Sequence, residues 1–272
     1  MLFDCLDFSE ALSTIDMLYD LAFLLMDLLR RGERGFAALV FNRYLDRTAD
    51  AGGMAAMPLF IAARAAIRAH VLAAQGRAGE GRAYLALAAQ VLRPAVPRLL
   101  AIGGYSGSGK STLAAVLAPE FVPVPGARIL RTDVLRKILC GVAPETPLPE
   151  SAYTREMNGK VYAEMYAQAE LALRAGYSVI LDAAFLRLEE RNAAAALAAR
   201  LGVDFSGFWL DAPEEVLIAR LDARRDDASD AGVAVLRRQQ ALETGEVRWP
   251  RIDATAASAV QREAVMKRLA RG

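Results

Sequence analysis

Apolar residues recur in two different rhythms along this chain, and the change falls near residue 93. Before it the spacing is three to four, the period of an amphipathic helix. A first helix is predicted from about Ser13 to Arg31, with Ser13-Thr-Ile-Asp16 as its capping start and Gly32 at its end. Asp16, Asp20 and Asp27 share one face of it. A second helix is predicted from Glu33 to Arg47, closed by Asp50-Ala-Gly-Gly53. A third runs from Met54 to Gln75, with Pro58 tolerated in its first turn. Gly76 to Gly81 reads as a turn, and a fourth helix ends near Arg93.

Arg93-Pro-Ala-Val-Pro-Arg98 reads as a short stiff linker. The expected division is therefore a helical region at 1–93, a linker at 94–97 and a second domain at 98–272. In that domain short apolar runs alternate with helical stretches. Strands are predicted at Leu99–Gly103, Arg128–Leu130, Ser178–Asp182, Phe205–Leu210 and Arg251–Thr255. Helices are predicted at Lys110–Leu117, from Asp133, at Tyr153–Ala175, at Leu188–Leu201, after Asp211-Ala-Pro-Glu214 and at the end of the chain, with a Pro-rich loop at 141–150. The alternation predicts an α/β fold, a parallel sheet flanked by helices on both faces.

Composition narrows the chemistry. Among 272 residues, 33 basic side chains face 32 acidic ones, which argues against a nucleic-acid partner. The two cysteines, Cys5 and Cys140, lie far apart without metal-type spacing, which fits a reducing, cytoplasmic setting. His70 is the single histidine, so a His-based triad or metal site is excluded, and it is read as structural. Met17 to Leu29, read as the most apolar stretch, is too short to span a bilayer and carries Asp20 and Asp27, so no membrane association is expected.

The chemistry concentrates after the first strand. Gly104-Tyr-Ser-Gly-Ser-Gly-Lys110-Ser111 satisfies the phosphate-binding loop pattern, which such a chain matches by accident on the order of once in a hundred sequences. Glycines let the backbone N–H groups converge on phosphate oxygens, and the following helix turns its positive end to the same anion. Gly104, Ser106, Gly107, Ser108, Gly109, Lys110, Ser111 and Thr112 are the expected nucleotide contacts. Lys110 would carry charge to the transferring phosphate, and Ser111 would offer its hydroxyl to Mg²⁺. Asp182, at the end of an apolar strand, is the expected second Mg²⁺ ligand, through water.

Asp133 follows the second strand, where it is placed to accept the proton of an attacking hydroxyl, with Arg136 on the same helical face to bind phosphate or substrate. Arg220 and Arg224 end a helix ahead of a polar loop, Asp226 to Gly232, expected to act as a lid that brings Arg224 to the γ-phosphate. Trp209, Tyr162 and Tyr166 are read as core, and Trp249 is left open.

From Arg98 onward the chain resembles small P-loop kinases of the gluconate-kinase-like, zeta-toxin-like and polynucleotide-kinase-like kind, grouped as AAA-like ATPases. The matching residues are the loop through Thr112, Thr132-Asp133-Val-Leu-Arg136-Lys137, Arg220-x-x-x-Arg224 and Leu236-Arg-Arg-Gln239, the last similar to a Leu-x-x-Gln of gluconate kinases. The resemblance implies ATP and Mg²⁺ as cofactors and Asp133 as base or acceptor anchor. The His-rich lid of true gluconate kinases is absent. Leu6-Asp7-Phe8 and Asp16-x-x-x-Asp20-Leu21-Ala22 resemble the tail of an aminoglycoside-phosphotransferase-like domain, as in bacterial proteins that join such a domain to a P-loop kinase. On that likeness residues 1–93 are expected to be an incomplete remnant or a helical accessory, exposing apolar surface on helix one for a missing lobe or a second copy.

The expected function is transfer of the γ-phosphoryl group of ATP to a hydroxyl of a small molecule. Two alternatives stay open: an ATP-binding switch or ATPase with a protein partner, and a nucleic-acid end kinase.

Overall fold

The computed structural model describes residues 16–48, 50–223 and 229–270. Four helices open the described chain: α1 (Met17–Arg30), α2 (Arg34–Thr48), α3 (Met57–Ala74) and α4 (Ala78–Val91). Asp16 caps α1 by accepting from the Leu18 N–H at 2.8 Å; the Ser13 start lies outside the described residues. Met54–Ala56 forms a 3₁₀ turn ahead of α3, where one continuous helix is predicted. The turn expected at 76–81 is shorter, because α4 begins at Ala78. Gly81 lies inside α4, where a Cβ would sit 2.9 Å from the Ala69 carbonyl, so glycine here serves the close crossing of α3 and α4.

Met54–Ala74 is long and apolar enough to cross a membrane by length and composition, which Met17–Leu29 is not. Its Met57, Ile61, Ala65, Ala69 and Leu72 are buried, and the helix packs on α1 and α4. His70 is exposed on it.

Five strands follow, β1 (Arg98–Gly103), β2 (Arg128–Arg131), β3 (Val179–Asp182), β4 (Asp204–Asp211) and β5 (Arg251–Asp253), with helices α5 (Lys110–Leu117), α6 (Thr132–Leu139), α7 (Arg155–Arg174), α8 (Leu188–Leu201), α9 (Glu214–Ala223), α10 (Val233–Gln240) and α11 (Ser258–Leu269). The strands form one sheet in the order β2-β3-β1-β4-β5, and every pair is parallel. The predicted α/β architecture is thus the observed one. Parallel neighbours need crossovers, which the helices supply. Strand residues alternate between two cores: Leu99, Ala101 and Leu181 pack toward α7 and α8, and Leu100, Ile102 and Ile180 toward α5 and α11.

Several boundaries move. The helix expected from Tyr153 begins at Arg155, capped by Thr154, whose hydroxyl accepts from the Met157 N–H at 3.2 Å. Asp211, in the segment ahead of α9, pairs with Arg251 at 2.6 Å. Helix α10 was not predicted, since its Arg237, Arg238, Gln239 and Gln240 mask a short apolar stripe.

The helical region shares the α7–α8 core through Leu25, Phe41, Met57 and Ile61. It also grips the sheet at β2, which stands at one edge. The Asn42 side chain accepts from the Ile129 N–H at 2.8 Å and donates to the Ala127 carbonyl at 3.1 Å. Arg128, 4% exposed, pairs with Asp46 at 2.7 Å and donates to Asn42 Oδ1 at 3.2 Å.

Candidate active site

The carboxyl ends of β1, β2 and β3 meet at one end of the sheet, where ligands of open α/β folds bind. A cavity of about 1330 Å³ opens there, lined by Ser106 to Thr112, Asp133, Arg136, Asp182 and Arg220. Those expected residues therefore come together. Arg224 lies outside the described residues.

Gly104 shapes the loop from behind. Its N–H donates to the Ala184 carbonyl at 3.2 Å, and with φ +138° a Cβ would stand 2.7 Å from the Leu210 carbonyl. Gly107 is equally constrained, with φ +85° and the Leu217 carbonyl 2.7 Å from any Cβ. Only glycine takes these turns without strain or collision; the pattern fixes Gly104, and Gly107 is a glycine at a position the pattern leaves free. Gly109 caps α5 in the left-handed region, so the helix starts at Lys110. Lys110 Nζ donates to the Gly104 and Tyr105 carbonyls, both at 2.9 Å, and so holds the loop from within.

Ser106 differs from its neighbours. Its N–H donates to Gln239 Oε1 at 2.9 Å, so this amide is committed to α10. Gln239 was missed as a site residue; the Leu236-x-x-Gln239 spacing was the one signal for it. Ser108 Oγ is buried without a hydrogen-bond partner. Arg220 Nη2 donates to the Ala254 carbonyl at 2.8 Å, which ties α9 to the chain after β5.

Ser111 donates its hydroxyl to Asp182 Oδ2 at 2.6 Å, a short charge-assisted bond. Asp182 is 5% exposed, with Arg131 Nε 3.4 Å away. Burial raises its pKa, against the pull of Arg131, Lys110 and Ser111, and Asp133 adds to the rise. A hydroxyl and a carboxylate side by side are hard oxygen donors of the kind Mg²⁺ takes when phosphates and water complete its shell. Among the described residues no cluster of three or more His, Cys, Asp or Glu side chains offers a fuller metal cage.

Asp133 stands in the first turn of α6, where the helix dipole favours its negative charge. Arg136 is buried and largely committed: it donates to the Ala152 carbonyl at 3.1 Å and to Asn158 Oδ1 at 2.7 Å, and its guanidinium lies 4.8 Å from the centre of the Tyr153 ring. It therefore holds the cavity wall, whatever else it contacts.

The remaining wall includes Leu148, Tyr153, Asn158, Tyr162 and Glu190. Tyr162, read as core, has its ring against Phe185 at 5.7 Å but turns its hydroxyl to the wall, where it accepts from the Phe185 N–H at 3.1 Å. Burial raises the pKa of Tyr162, with Glu190 reinforcing it, and burial likewise raises that of Glu190. Phe185 carries φ +52°, an uncommon backbone for an aromatic residue. Trp249 is a packing residue, lying over Gly207 and against Phe185 and Phe205.

Residues 99–244, just over half of the chain, match the model of the family described as AAA domain, and the chain belongs to that family. Uncharacterized proteins of Mycobacterium tuberculosis (strain ATCC 25618 / H37Rv) and Mycobacterium bovis are each 35% identical to it, over 90% of this chain and 51% of theirs. The chain thus spans about half the length of the curated relatives it matches. Among solved structures, the Mycobacterium tuberculosis APS kinase CysC in complex with AMPPNP and APS is 20% identical, with a TM-score of 0.49, covering 65% of this chain and 99% of that one. A gluconokinase from Sinorhizobium meliloti 1021 is 25% identical, with a TM-score of 0.46, covering 66% and 96%.

Proposed function

We propose that this member of the AAA domain family transfers the γ-phosphoryl group of ATP to a hydroxyl of a small molecule. The observation that carries the reading is the position of Asp133, which shares one cavity with the phosphate-binding loop but stands on a different element. The cavity, about 1330 Å³, exceeds the roughly 300–1,000 Å³ of a typical single-ligand pocket, so a second substrate has room beside the nucleotide.

In this reading the backbone of Gly107 to Thr112 and the start of α5 receive the phosphates. Lys110 exchanges its loop carbonyls for phosphate oxygens. Ser111 and Asp182 hold Mg²⁺, which when bound neutralises charge on the phosphates. Asp133 accepts the proton of the acceptor hydroxyl, and Arg136 keeps the wall beside it in place. Arg220, near the loop, and Arg224, on the expected lid, would stabilise the nucleotide side.

A screen of hydroxylated small molecules with ATP and Mg²⁺, using Lys110→Ala as blank, tests the reading. Asp133→Asn should lose acceptor phosphorylation and keep nucleotide affinity. Full transfer in that variant refutes the assignment of the base. Release of phosphate to water alone, with no acceptor found, favours the ATPase alternative.

For residues 1–93 the proposal is a helical accessory related to the end of an aminoglycoside-phosphotransferase-like domain. Met17, Phe23 and Leu24 of α1 are 67%, 51% and 47% exposed, the kind of surface a further lobe or second copy would cover. A monomeric protein that leaves a hydrophobic dye dark would count against it.

A further inference from the structure

Opposite the phosphate-binding loop, three groups from two separate segments converge on one carboxylate. Asp230 accepts from Tyr153 Oη at 2.7 Å, from the Leu148 N–H at 3.1 Å and from Lys137 Nζ at 3.2 Å. Lys137 is fully buried, a position a lysine rarely holds without a paired carboxylate. Burial alone would raise the Asp230 carboxyl, but the bonds from Tyr153, Leu148 and Lys137 outweigh it and hold it below its ordinary value. Lys137 lies one turn after Asp133 on α6, and Leu148, Tyr153 and Asp230 all line the cavity. Nothing in the proposed chemistry uses this node.

A short way down the chain, the same segment makes its second attachment. Helix α10 runs from Val233 to Gln240, and Gln239 takes the Ser106 N–H of the loop at 2.9 Å. Between these ends Leu236 is buried with Leu217 and Leu221 of α9, and Tyr105 of the loop packs against the same cluster. The stretch 230–239 is therefore a strut. One end holds the wall at Leu148 and Tyr153, and the other holds the phosphate-binding loop.

We infer that Asp230 is a positioning residue that couples nucleotide binding at the loop to ordering of the wall formed by residues 141–158. A shift of the loop on its phosphates displaces Ser106, Gln239 and α10 together, and Asp230 passes that displacement to Tyr153, Leu148 and, through Lys137, to the helix that carries Asp133. The inference rests on the nucleotide-binding part of the proposed function alone, so an acceptor screen that finds nothing leaves it standing.

Hydrogen–deuterium exchange on the whole chain, with and without AMPPNP and Mg²⁺, tests it. Nucleotide should slow exchange in 104–112 and also in 141–158, although the wall is not part of the loop. In Asp230→Asn the slowing in 141–158 should vanish while that in 104–112 remains. Tyr153→Phe removes only the hydroxyl bond and should lose part of the same signal, which keeps the test usable if Asp230→Asn folds poorly. A purely structural role would speed exchange equally in both states and leave the nucleotide-dependent difference intact. That result, or a wild-type wall indifferent to nucleotide, overturns the inference.

Discussion

The loop half of the cavity comes from seven consecutive residues, Ser106 to Thr112, whereas the wall half collects Asp133, Tyr153, Asn158, Tyr162 and Glu190 from four separate elements. The loop acts mainly through backbone amides and glycine conformations, so its chemistry is written in a contiguous string. The wall acts through side chains held from other parts of the chain, such as Arg136 by Asn158 and Tyr162 by the Phe185 N–H. A change in the loop should therefore be felt by every reaction the site performs. A change in the wall away from the Asp230 strut should be felt mainly by the acceptor.

The largest expected effect comes from Lys110→Ala. Removing a preorganised cation from the transferring phosphate should lower kcat/KM on the order of 10²–10³-fold, read by a phosphoryl-transfer assay. Thermal unfolding should move far less. Gly107→Ala comes next. The left-handed backbone alone costs a Cβ-bearing residue about 1–2 kcal/mol, and the Leu217 carbonyl must also give way, so nucleotide affinity measured by calorimetry should fall with the melting temperature.

Tyr162→Phe probes the other half. Loss of one hydrogen bond of about 1 kcal/mol should raise acceptor KM roughly fivefold and leave nucleotide affinity unchanged. An equal loss at both substrates would dissolve the distinction between the halves. The smallest effect is one of pH. Asp182 has a raised pKa, so the fold binds its proton more tightly than the unfolded chain does. Its contribution to stability is complete below the ordinary aspartate value and declines as pH rises through the raised one. Mg²⁺-dependent nucleotide affinity should change in the opposite sense, growing with pH over that interval. Calorimetric titrations across the acidic range would show it, and Asp182→Asn should flatten the curve.

This contrast also explains what could be read from the chain before its fold was known. The sheet, the loop and Asp182 were legible because apolar runs ending in Gly103 and Asp182 have a strong local signature. Asp133 and Arg136 were legible as a pair, but not that Arg136 is tied to Ala152 and Asn158, a matter of residues far along the chain. Gln239 was hidden in a polar helix that carries one buried apolar residue, Leu236. Glu190 looked like an ordinary residue of a first helical turn, and its side chain does accept from the Arg187 N–H at 3.2 Å. Only the placement of Tyr162 makes it a wall.

The Asn42 amide on β2 has a consequence for the chain's solubility. An outermost strand with free N–H and C=O groups is a template on which another chain can add its own strand. Asn42 occupies the Ile129 N–H and the Ala127 carbonyl, as a neighbouring peptide would, and Arg128 is drawn toward Asp46 beside it. Helix α2 thus acts as a guard rail: a P-loop domain cut free at the expected linker, residues 94–97, would present an open ledge to its own copies, and self-association, not loss of nucleotide affinity, would be its first failing.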